Sequence, residues 1–327
     1  MPQPITTPGN HHALSLMSVE KRGTMLPVAL ARRSVLTGLP LLIMSTVTKP
    51  SLTYAQMRVA ETTLDIFTQD VPTHRLDNRA VTLSNGRSFR IFRAIPKTAA
   101  PPAGFPILYL LDGNAIFDDL TVELLARAPG LIVIGLGYDT PRKFAMAERT
   151  LDYTPPRTGE GPQPDPLRPE RRIGGAFEFL PLLTGDLRSL SEEGLVVDPS
   201  RRALGGHSFG GLMTLITLYR QPDAFSAYAP ISPSLWWAME PMERLERLAD
   251  WNLKSSKRLF ISLGDKEQRS NDKGPPPTGP ATETMDLIRR LSSVPQLSVS
   301  SRVLEGHVHG ATLLGALPHI LDWARTA

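Results

Sequence analysis

The feature that most constrains the fold is a five-residue segment that follows a predicted strand. Residues 206–210, with the sequence Gly-His-Ser-Phe-Gly, come after the short run 202–205 and precede the apolar run 212–219. This pattern is typical of a strand that turns sharply into a helix, with a strained serine at the turn and no room for bulky neighbours. We predict that Ser208 is a nucleophile at a helix N-terminus, where backbone N–H groups favour negative charge. A glycine-rich turn that only caps a helix is the alternative.

The other apolar runs predict an α/β fold. Residues 107–111 and 131–136 are apolar throughout, as expected for strands buried on both faces of a sheet. Further predicted strands alternate with predicted helices: strands at 202–205, 227–231, 258–263 and 297–304, and helices at 117–127, 176–191, 208–220, 241–249, 282–291 and 313–325. Alternation of this kind indicates a mainly parallel sheet with helices on both faces. Together with the serine turn, it predicts one α/β-hydrolase domain over residues 56–327.

The region before this alternation has a different pattern. Residues 62–67 alternate in polarity, which predicts a strand, and an Asn-Gly pair at 85–86 predicts a tight hairpin between strands at 81–83 and 89–95. The sheet should therefore begin with antiparallel strands. Further along the chain, residues 155–169 are rich in proline and glycine and are predicted to form a surface loop.

Composition excludes several classes of site. The 327 residues include no cysteine, which excludes a cysteine nucleophile, thiolate metal sites and redox dithiols. The net charge of +4 comes from residues 1–55, which hold five of the 36 basic residues and one of the 32 acidic residues. The remaining residues therefore carry 31 charges of each sign and no net charge. This balance gives no indication of a nucleic-acid partner.

Residues 1–55 predict an export signal. An arginine pair at 32–33 precedes the uncharged run 34–48, which is too short to span a bilayer as a helix. The segment Thr53-Tyr54-Ala55, with small residues at 53 and 55, provides a cleavage site, and the arginine pair is typical of a twin-arginine signal. Met25 is a second candidate start. We therefore expect a periplasmic or secreted protein with no stable membrane span, although a basic tail or an uncleaved anchor helix would give the same pattern.

A serine nucleophile needs a base, and in this fold the chain order is serine, acid, histidine. Residues 305–310 follow the last predicted strand and contain two histidines. His309 is the predicted base and His307 the alternative. The acid should follow the preceding strand, where Glu267 is the first choice and Asp265 the second. A solvated charged turn, which would leave a Ser–His dyad, is a third possibility.

An oxyanion formed at the serine needs two N–H donors. One should be the backbone N–H of Phe209, directly after the nucleophile, and the other should lie in the loop after an early strand. The strand at 107–111 is followed by Asp-Gly-Asn, which makes Asn114 the predicted second donor. A plain turn would have the same residues. This chemistry requires no metal and no organic cofactor.

Five segments resemble the putative-esterase family of α/β hydrolases and occur in the same order. They are Leu-Leu-Asp-Gly-Asn-Ala at 110–115, Arg-Thr-Leu-Asp-Tyr-Thr-Pro at 149–155, Gly-Gly-His-Ser-Phe-Gly-Gly at 205–211, Ser-Pro-Ser-Leu-Trp-Trp at 232–237 and Glu-Gly-His-Val-His-Gly at 305–310. The family includes esterase D (S-formylglutathione hydrolase) and the siderophore trilactone esterases, which hydrolyse enterobactin, salmochelin or bacillibactin. The resemblance is greatest to the siderophore branch and covers about residues 60–325.

The resemblance implies a serine esterase that acts on a small-molecule ester. The family pattern Glu-Gly, two residues, His-Gly supports His309 as the base. It also implies that Arg149 binds an anionic ferric siderophore through charge-assisted hydrogen bonds, unless Arg149 only pairs with Asp152 to fix a loop. Trp236 would stack on aromatic groups of the substrate, or would belong to the core together with Trp237.

Two other functions remain alternatives at this point. The zero net charge of residues 56–327 counts against a ferric siderophore more than against ester chemistry. A general exported carboxylesterase or acyl transferase would use the same nucleophile. A catalytically silent protein that binds a ligand after export is the alternative from a different class.

Overall fold

A sheet of eight strands lies at the centre of the fold. The computed structural model describes residues 60–326 except 160, 167, 268–273 and 276. In spatial order the strands are β1 (His74–Thr82), β2 (Ser88–Pro96), β4 (Ile132–Tyr138), β3 (Phe105–Leu111), β7 (Val197–His207), β8 (Ala227–Ile231), β9 (Lys257–Gly264) and β10 (Leu297–Leu304). Strand β2 is antiparallel to both β1 and β4, and every other neighbouring pair is parallel. The predicted hairpin and the mainly parallel sheet are confirmed.

Helices cover both faces of this sheet. One face carries α4 (Ala176–Thr184), α5 (Asp186–Glu192), α6 (Phe209–Arg220), α7 (Leu235–Leu248) and α8 (Thr282–Leu291), and the other carries α1 (Gly113–Asp119), α2 (Val122–Ala126) and α9 (Thr312–Ala324). A further short helix, α3 (Met146–Asp152), follows β4. No helix among the described residues is long and apolar enough to cross a membrane.

The central strands are apolar along their whole length because alternate residues face opposite sides of the sheet and helices cover both sides. In β3, Ile107 and Tyr109 belong to the core beneath α6, whereas Leu108 and Leu110 belong to the core beneath α9. Each of the four is at most 1% exposed. Full burial of one such aliphatic side chain contributes about 1.5–3 kcal/mol.

The prediction of a strand at 62–67 was wrong. The chain instead forms a 3-10 helix over Asp65–Thr68, preceded by Leu64 with a positive φ of 52°. The carboxylate of Asp118 accepts hydrogen bonds from the backbone N–H groups of Thr63 and Leu64, which turns the chain away from an extended path. The alternation in polarity reflects one-sided burial of this turn, with Ile66 in the core.

Three other segments are more divided than predicted. The helix expected at 117–127 is two helices, because Thr121 accepts a hydrogen bond from the N–H of Leu124 and starts α2. The helix expected at 176–191 breaks at Gly185 between α4 and α5. The loop expected at 155–169 includes a small antiparallel hairpin formed by β5 (Gln163–Asp165) and β6 (Arg168–Ile173). The predicted export signal at 1–55 lies outside the described residues.

Candidate active site

Ser208 lies in the sharp turn between β7 and α6. Its backbone has φ 61° and ψ −114°, a conformation that costs a non-glycine residue on the order of 1–3 kcal/mol. A Cβ added to Gly206 would lie 2.5 Å from the carbonyl oxygen of Gly210, so the turn closes only with glycine at 206. A Cβ added to Gly210 would meet nothing nearer than 3.5 Å, so the sequence pattern is stricter before the serine than after it.

Three side chains from separate loops form a continuous set of contacts. The Nε2 of His309 lies 3.0 Å from the Oγ of Ser208, and its Nδ1 lies 3.1 Å from the Oε2 of Glu267. Ser208 follows β7, Glu267 follows β9 and His309 follows β10, so the carboxyl ends of parallel strands bring them together. Ser208 and His309 are both buried.

The carboxylate of Glu267 is held by three donors. Its Oε1 accepts hydrogen bonds from the Oγ of Ser232 at 2.5 Å and from the N–H of Gly264 at 2.7 Å, while Oε2 faces His309. Burial acts to raise the pKa of Glu267, but these hydrogen bonds and the charge of His309 outweigh it and hold the pKa below its ordinary value. Asp265 contacts a different group, the N–H of Gly306, at 2.7 Å.

The second histidine of the 305–310 segment lies apart from the nucleophile. The Nδ1 of His307 is 2.8 Å from the carbonyl oxygen of Glu305, and a Cβ on Gly315 would come within 2.6 Å of its ring. His307 therefore packs against α9. Of the two carboxylates and two histidines that the sequence offered, the structure brings Glu267 and His309 to Ser208.

A third histidine, His207, contacts both the backbone and the ring of His309. The Nε2 of His207 lies 2.8 Å from the carbonyl oxygen of His309, and the two rings have centroids 4.8 Å apart. Burial, and then the nearby His309, hold the pKa of His207 well below its ordinary value. His207 is therefore neutral and donates its Nε2–H to the His309 carbonyl, which fixes the loop that carries the base.

Ser234 was not singled out by sequence reasoning, although it lies beside Ser208, the predicted nucleophile. Its Oγ is 2.9 Å from the Oγ of Ser208, and the side chain is buried. Both Ser234 and Ser232 belong to the 232–237 segment, which attracted attention for its tryptophans. The useful signal was the pair of serines that directly follows β8, the strand next to β7.

The two predicted oxyanion donors lie at the starts of the helices that follow the neighbouring strands β7 and β3. Phe209 is the first residue of α6, and the first N–H groups of a helix have no acceptor inside it. Asn114 is the second residue of α1, and its side chain is fixed by the backbone of Tyr138, with Nδ2 to the carbonyl oxygen at 3.1 Å and the N–H to Oδ1 at 3.0 Å. A Cβ on Gly210 would lie 3.6 Å from Asp112, so the start of α6 packs against the β3–α1 turn.

Arg149 lies behind these turns and does not face the surface. Its side chain is 2% exposed, and its Nε and Nη2 each lie 2.8 Å from one oxygen of the Asp112 carboxylate. The predicted contact between Arg149 and a substrate is therefore not supported. The alternative pairing with Asp152 is wrong, because Asp152 pairs with Arg87 and with the Tyr138 hydroxyl.

The two tryptophans have different surroundings. Trp236 is 37% exposed at the start of α7, whereas Trp237 is buried with its ring centroid 5.0 Å from that of Phe209. The guanidinium of Arg157 lies 4.7 Å from the Trp237 ring centroid and donates to its carbonyl oxygen at 2.6 Å. Trp237 thus belongs to the core, and Trp236 stays a candidate for contact with a substrate.

The family model described as "Putative esterase" matches residues 84–309. The chain belongs to this esterase family. This confirms the resemblance inferred from the five segments.

Relatives of known activity are similar to parts of this esterase-family chain. It is 38% identical over 166 residues to "Ferri-bacillibactin esterase BesA" of Bacillus subtilis, which covers 47% of this chain and 56% of that protein. It is 30% identical over 227 residues to "Siderophore triacetylfusarinine C esterase" of Aspergillus fumigatus, and this match covers 65% of this chain and 72% of that protein. The chain spans about half the length of the bacterial relatives that it matches.

The solved structure of "Enterobactin and Salmochelin Hydrolase IroE" is similar to this fold. Its TM-score is 0.65 at 25% sequence identity, and the match covers 80% of this chain and all of that one. The predicted α/β-hydrolase fold is thereby confirmed.

Proposed function

We propose that this protein is a serine carboxylic-ester hydrolase that cleaves the ester bonds of a siderophore or related trilactone. The observation that carries the proposal is the unbroken set of contacts from Ser208 through His309 to Glu267. In the proposed roles Ser208 is the nucleophile, His309 the general base and Glu267 the acid that orients it.

Acylation begins when the Oγ of Ser208 attacks the ester carbonyl carbon and its proton passes to the Nε2 of His309. The carboxylate of Glu267 keeps the proton of His309 on Nδ1 in the resting state and stabilises the imidazolium that forms. The carbonyl oxygen becomes an oxyanion next to the N–H groups of Phe209 and Asn114. Loss of one such donor costs about 10²–10³-fold in rate in other serine hydrolases.

The tetrahedral intermediate then breaks the ester C–O bond. The leaving alcohol oxygen takes the proton from the Nε2 of His309, and the acyl group remains on the Oγ of Ser208. A water molecule gives a proton to His309 as its oxygen attacks the acyl carbon. Collapse of the second tetrahedral intermediate releases the carboxylic acid and returns the proton to Ser208.

The siderophore as substrate is supported by the relatives. The similar proteins are described as esterases of ferri-bacillibactin and triacetylfusarinine C, and as a hydrolase of enterobactin and salmochelin. A neutral ester is the second candidate, and the pairing of Arg149 with Asp112 favours it. That ion pair removes the arginine that the sequence had offered to an anionic ligand.

The test offers the full-length protein a short-chain p-nitrophenyl ester and, separately, apo and ferric enterobactin, with separation of the products. Faster cleavage of the macrocycle supports the siderophore substrate, and turnover of the simple ester alone points to a general carboxylesterase. Added alcohol that appears in the product would indicate acyl transfer. Tight binding of the macrocycle without cleavage of any ester would overturn the proposal in favour of a ligand-binding protein.

The nucleophile is tested with a matched pair of variants. Ser208→Ala should abolish turnover and leave the folded protein intact. Ser191→Ala removes another buried hydroxyl, one that donates to the Leu187 carbonyl within α5, and should retain full activity. Equal activity in the two variants would remove Ser208 from the reaction.

We also propose that the protein is exported through the segment at 1–55. The support is its sequence alone: an arginine pair, a short uncharged run and small residues at 53 and 55. Cell fractionation of the wild-type chain and of a double Arg32→Lys, Arg33→Lys variant tests this. We expect the wild type outside the cytoplasm and the variant retained, and a wild type found in the cytoplasm would contradict the proposal.

A further inference from the structure

One buried guanidinium connects the two turns that carry the oxyanion donors. The Nε and Nη2 of Arg149 lie 2.8 Å from the two oxygens of Asp112, which lies between β3 and α1. The same Nη2 lies 3.4 Å from the carbonyl oxygen of His207, the last residue of β7. Arg149 itself belongs to α3, so a third element holds the other two together.

Each contact lies two residues from a donor. Asn114 comes two residues after Asp112, and Phe209 comes two residues after His207. We propose that Arg149 is a positioning residue that sets the separation of the Phe209 and Asn114 N–H groups. This inference rests on the proposed function, because the separation of the two N–H groups matters only if they bind the oxyanion. It assigns no contact between Arg149 and the substrate.

The packing around Arg149 supports a fixed geometry. Its Cζ lies 5.5 Å from the ring centroid of Phe144 and 5.6 Å from those of Tyr153 and Phe209. Phe209 is thus held through its own side chain as well as through the turn before it. Aromatic rings attract a guanidinium through their negative faces, and burial strengthens the attraction.

Only the planar guanidinium of an arginine can make these contacts together. Arginine presents several N–H donors in one rigid plane, whereas the ammonium of lysine is a compact charge on a flexible chain. The backbone of Asp112 has a positive φ of 60°, a conformation uncommon for a residue other than glycine. Its two-point ion pair with Arg149 holds that turn in place. Because the pair is neutral as a whole, its effect on rate should not depend on the charge of the substrate.

The test compares steady-state kinetics of the wild type and Arg149→Lys on two p-nitrophenyl esters, one neutral and one that carries a free carboxylate. We expect kcat to fall about 10²-fold on both esters with little change in KM, because a displacement of about 1 Å in a catalytic group costs that much. The rate at which a fluorophosphonate labels Ser208 should fall in parallel. Labelling requires the same oxyanion site and needs no assigned substrate.

Arg87→Lys is the matched control. Arg87 pairs with Asp152 of the same helix α3, and its guanidinium lies over the rings of Phe89 and Phe179. Arg87→Lys should destabilise the protein by weakening an ion pair and ring contacts of the same kind, and it should leave kcat unchanged. If Arg149→Lys does not fold, Asp112→Asn removes the ion pair from the other side and should give the same kinetic pattern.

Two results would overturn the inference. A rise in KM for the carboxylate ester alone would make Arg149 a substrate-binding residue. Wild-type kcat and labelling rate in a folded variant would show that the turns keep their geometry without it. Failure of the wild type to cleave enterobactin concerns the proposed substrate and leaves the labelling comparison intact.

Discussion

The hydroxyl oxygens of Ser208 and Ser234 lie 2.9 Å apart, nearly the same distance as that between Ser208 Oγ and the Nε2 of His309. Ser208 has one proton, and attack on a carbonyl requires that it point toward His309. Ser234 must then act as the donor in the contact between the two hydroxyls. On the proposed mechanism, we therefore expect the Ser234 hydroxyl to favour the orientation in which the proton of Ser208 points toward His309.

Ser234→Ala should reduce kcat by about three- to tenfold and leave KM unchanged, because one neutral hydrogen bond contributes about 0.5–1.5 kcal/mol. Steady-state kinetics on a p-nitrophenyl ester measure this. Ser191→Ala, with a buried hydroxyl outside the site, should match the wild type. An unchanged kcat in Ser234→Ala would mean that His309 alone orients the proton.

Substitutions of the two candidate acids, Glu267 and Asp265, should have clearly different effects on kcat. Glu267→Gln should lower kcat by about 10³–10⁴-fold, because the amide no longer fixes the histidine tautomer or stabilises the imidazolium. Asp265→Asn changes a carboxylate that accepts a hydrogen bond from the N–H of Gly306, away from His309, and should stay within about twofold in kcat. If Glu267→Gln retained most of its activity, the site would be a Ser–His dyad.

The stability of the fold should depend on pH through Glu267. Its pKa is lowered in the folded state, so its ionised form stabilises the protein at pH values above the unfolded pKa of about 4.3. That contribution is lost as the pH falls through the lower, folded-state pKa. Urea unfolding of wild type and Glu267→Gln at pH 7, 5 and 3 should show a difference that is constant at the two higher values and shrinks at pH 3. A constant difference at all three would contradict the assignment.

Gly206→Ala should destabilise the protein by about 1–3 kcal/mol, the usual cost of overpacking a buried site. It should also lower activity by more than about 10²-fold, because the added Cβ displaces the turn that carries Ser208. Gly130→Ala is the control, since a Cβ there meets nothing within 4 Å. Urea midpoints and kcat test both effects, and wild-type values for Gly206→Ala would show that the turn relaxes freely.

Periodicity and motif spacing were enough to predict most strands and the central sheet. Burial on both faces gives strands such as Phe105–Leu111 an apolar run that no exposed element shares. Motif spacing also placed Ser208, Glu267 and His309 in loops that follow strands, here β7, β9 and β10. No local sequence pattern predicts the spatial strand order β4-β3-β7, because this order follows from pairing between residues far apart in the chain.

What the sequence did not predict depends on pairs of residues far apart in the chain. Arg149 contacts Asp112 across 37 positions and Ser234 contacts Ser208 across 26. Neither pair has a characteristic spacing, because a side chain's partner depends on which strands become neighbours. The strand expected at 62–67 failed for a similar reason, since the carboxylate of Asp118 decides the path of that segment.

The placement of β10 at the rim of the sheet has a consequence for biosynthesis. The base follows that strand, 101 residues after the nucleophile, and a ribosome makes the chain from its N-terminus. A nascent chain that contains Ser208 but has not yet reached His309 therefore lacks the proposed base. On the proposed roles, we expect activity to appear only after Leu297–Leu304 has paired with β9 and brought His309 to Ser208.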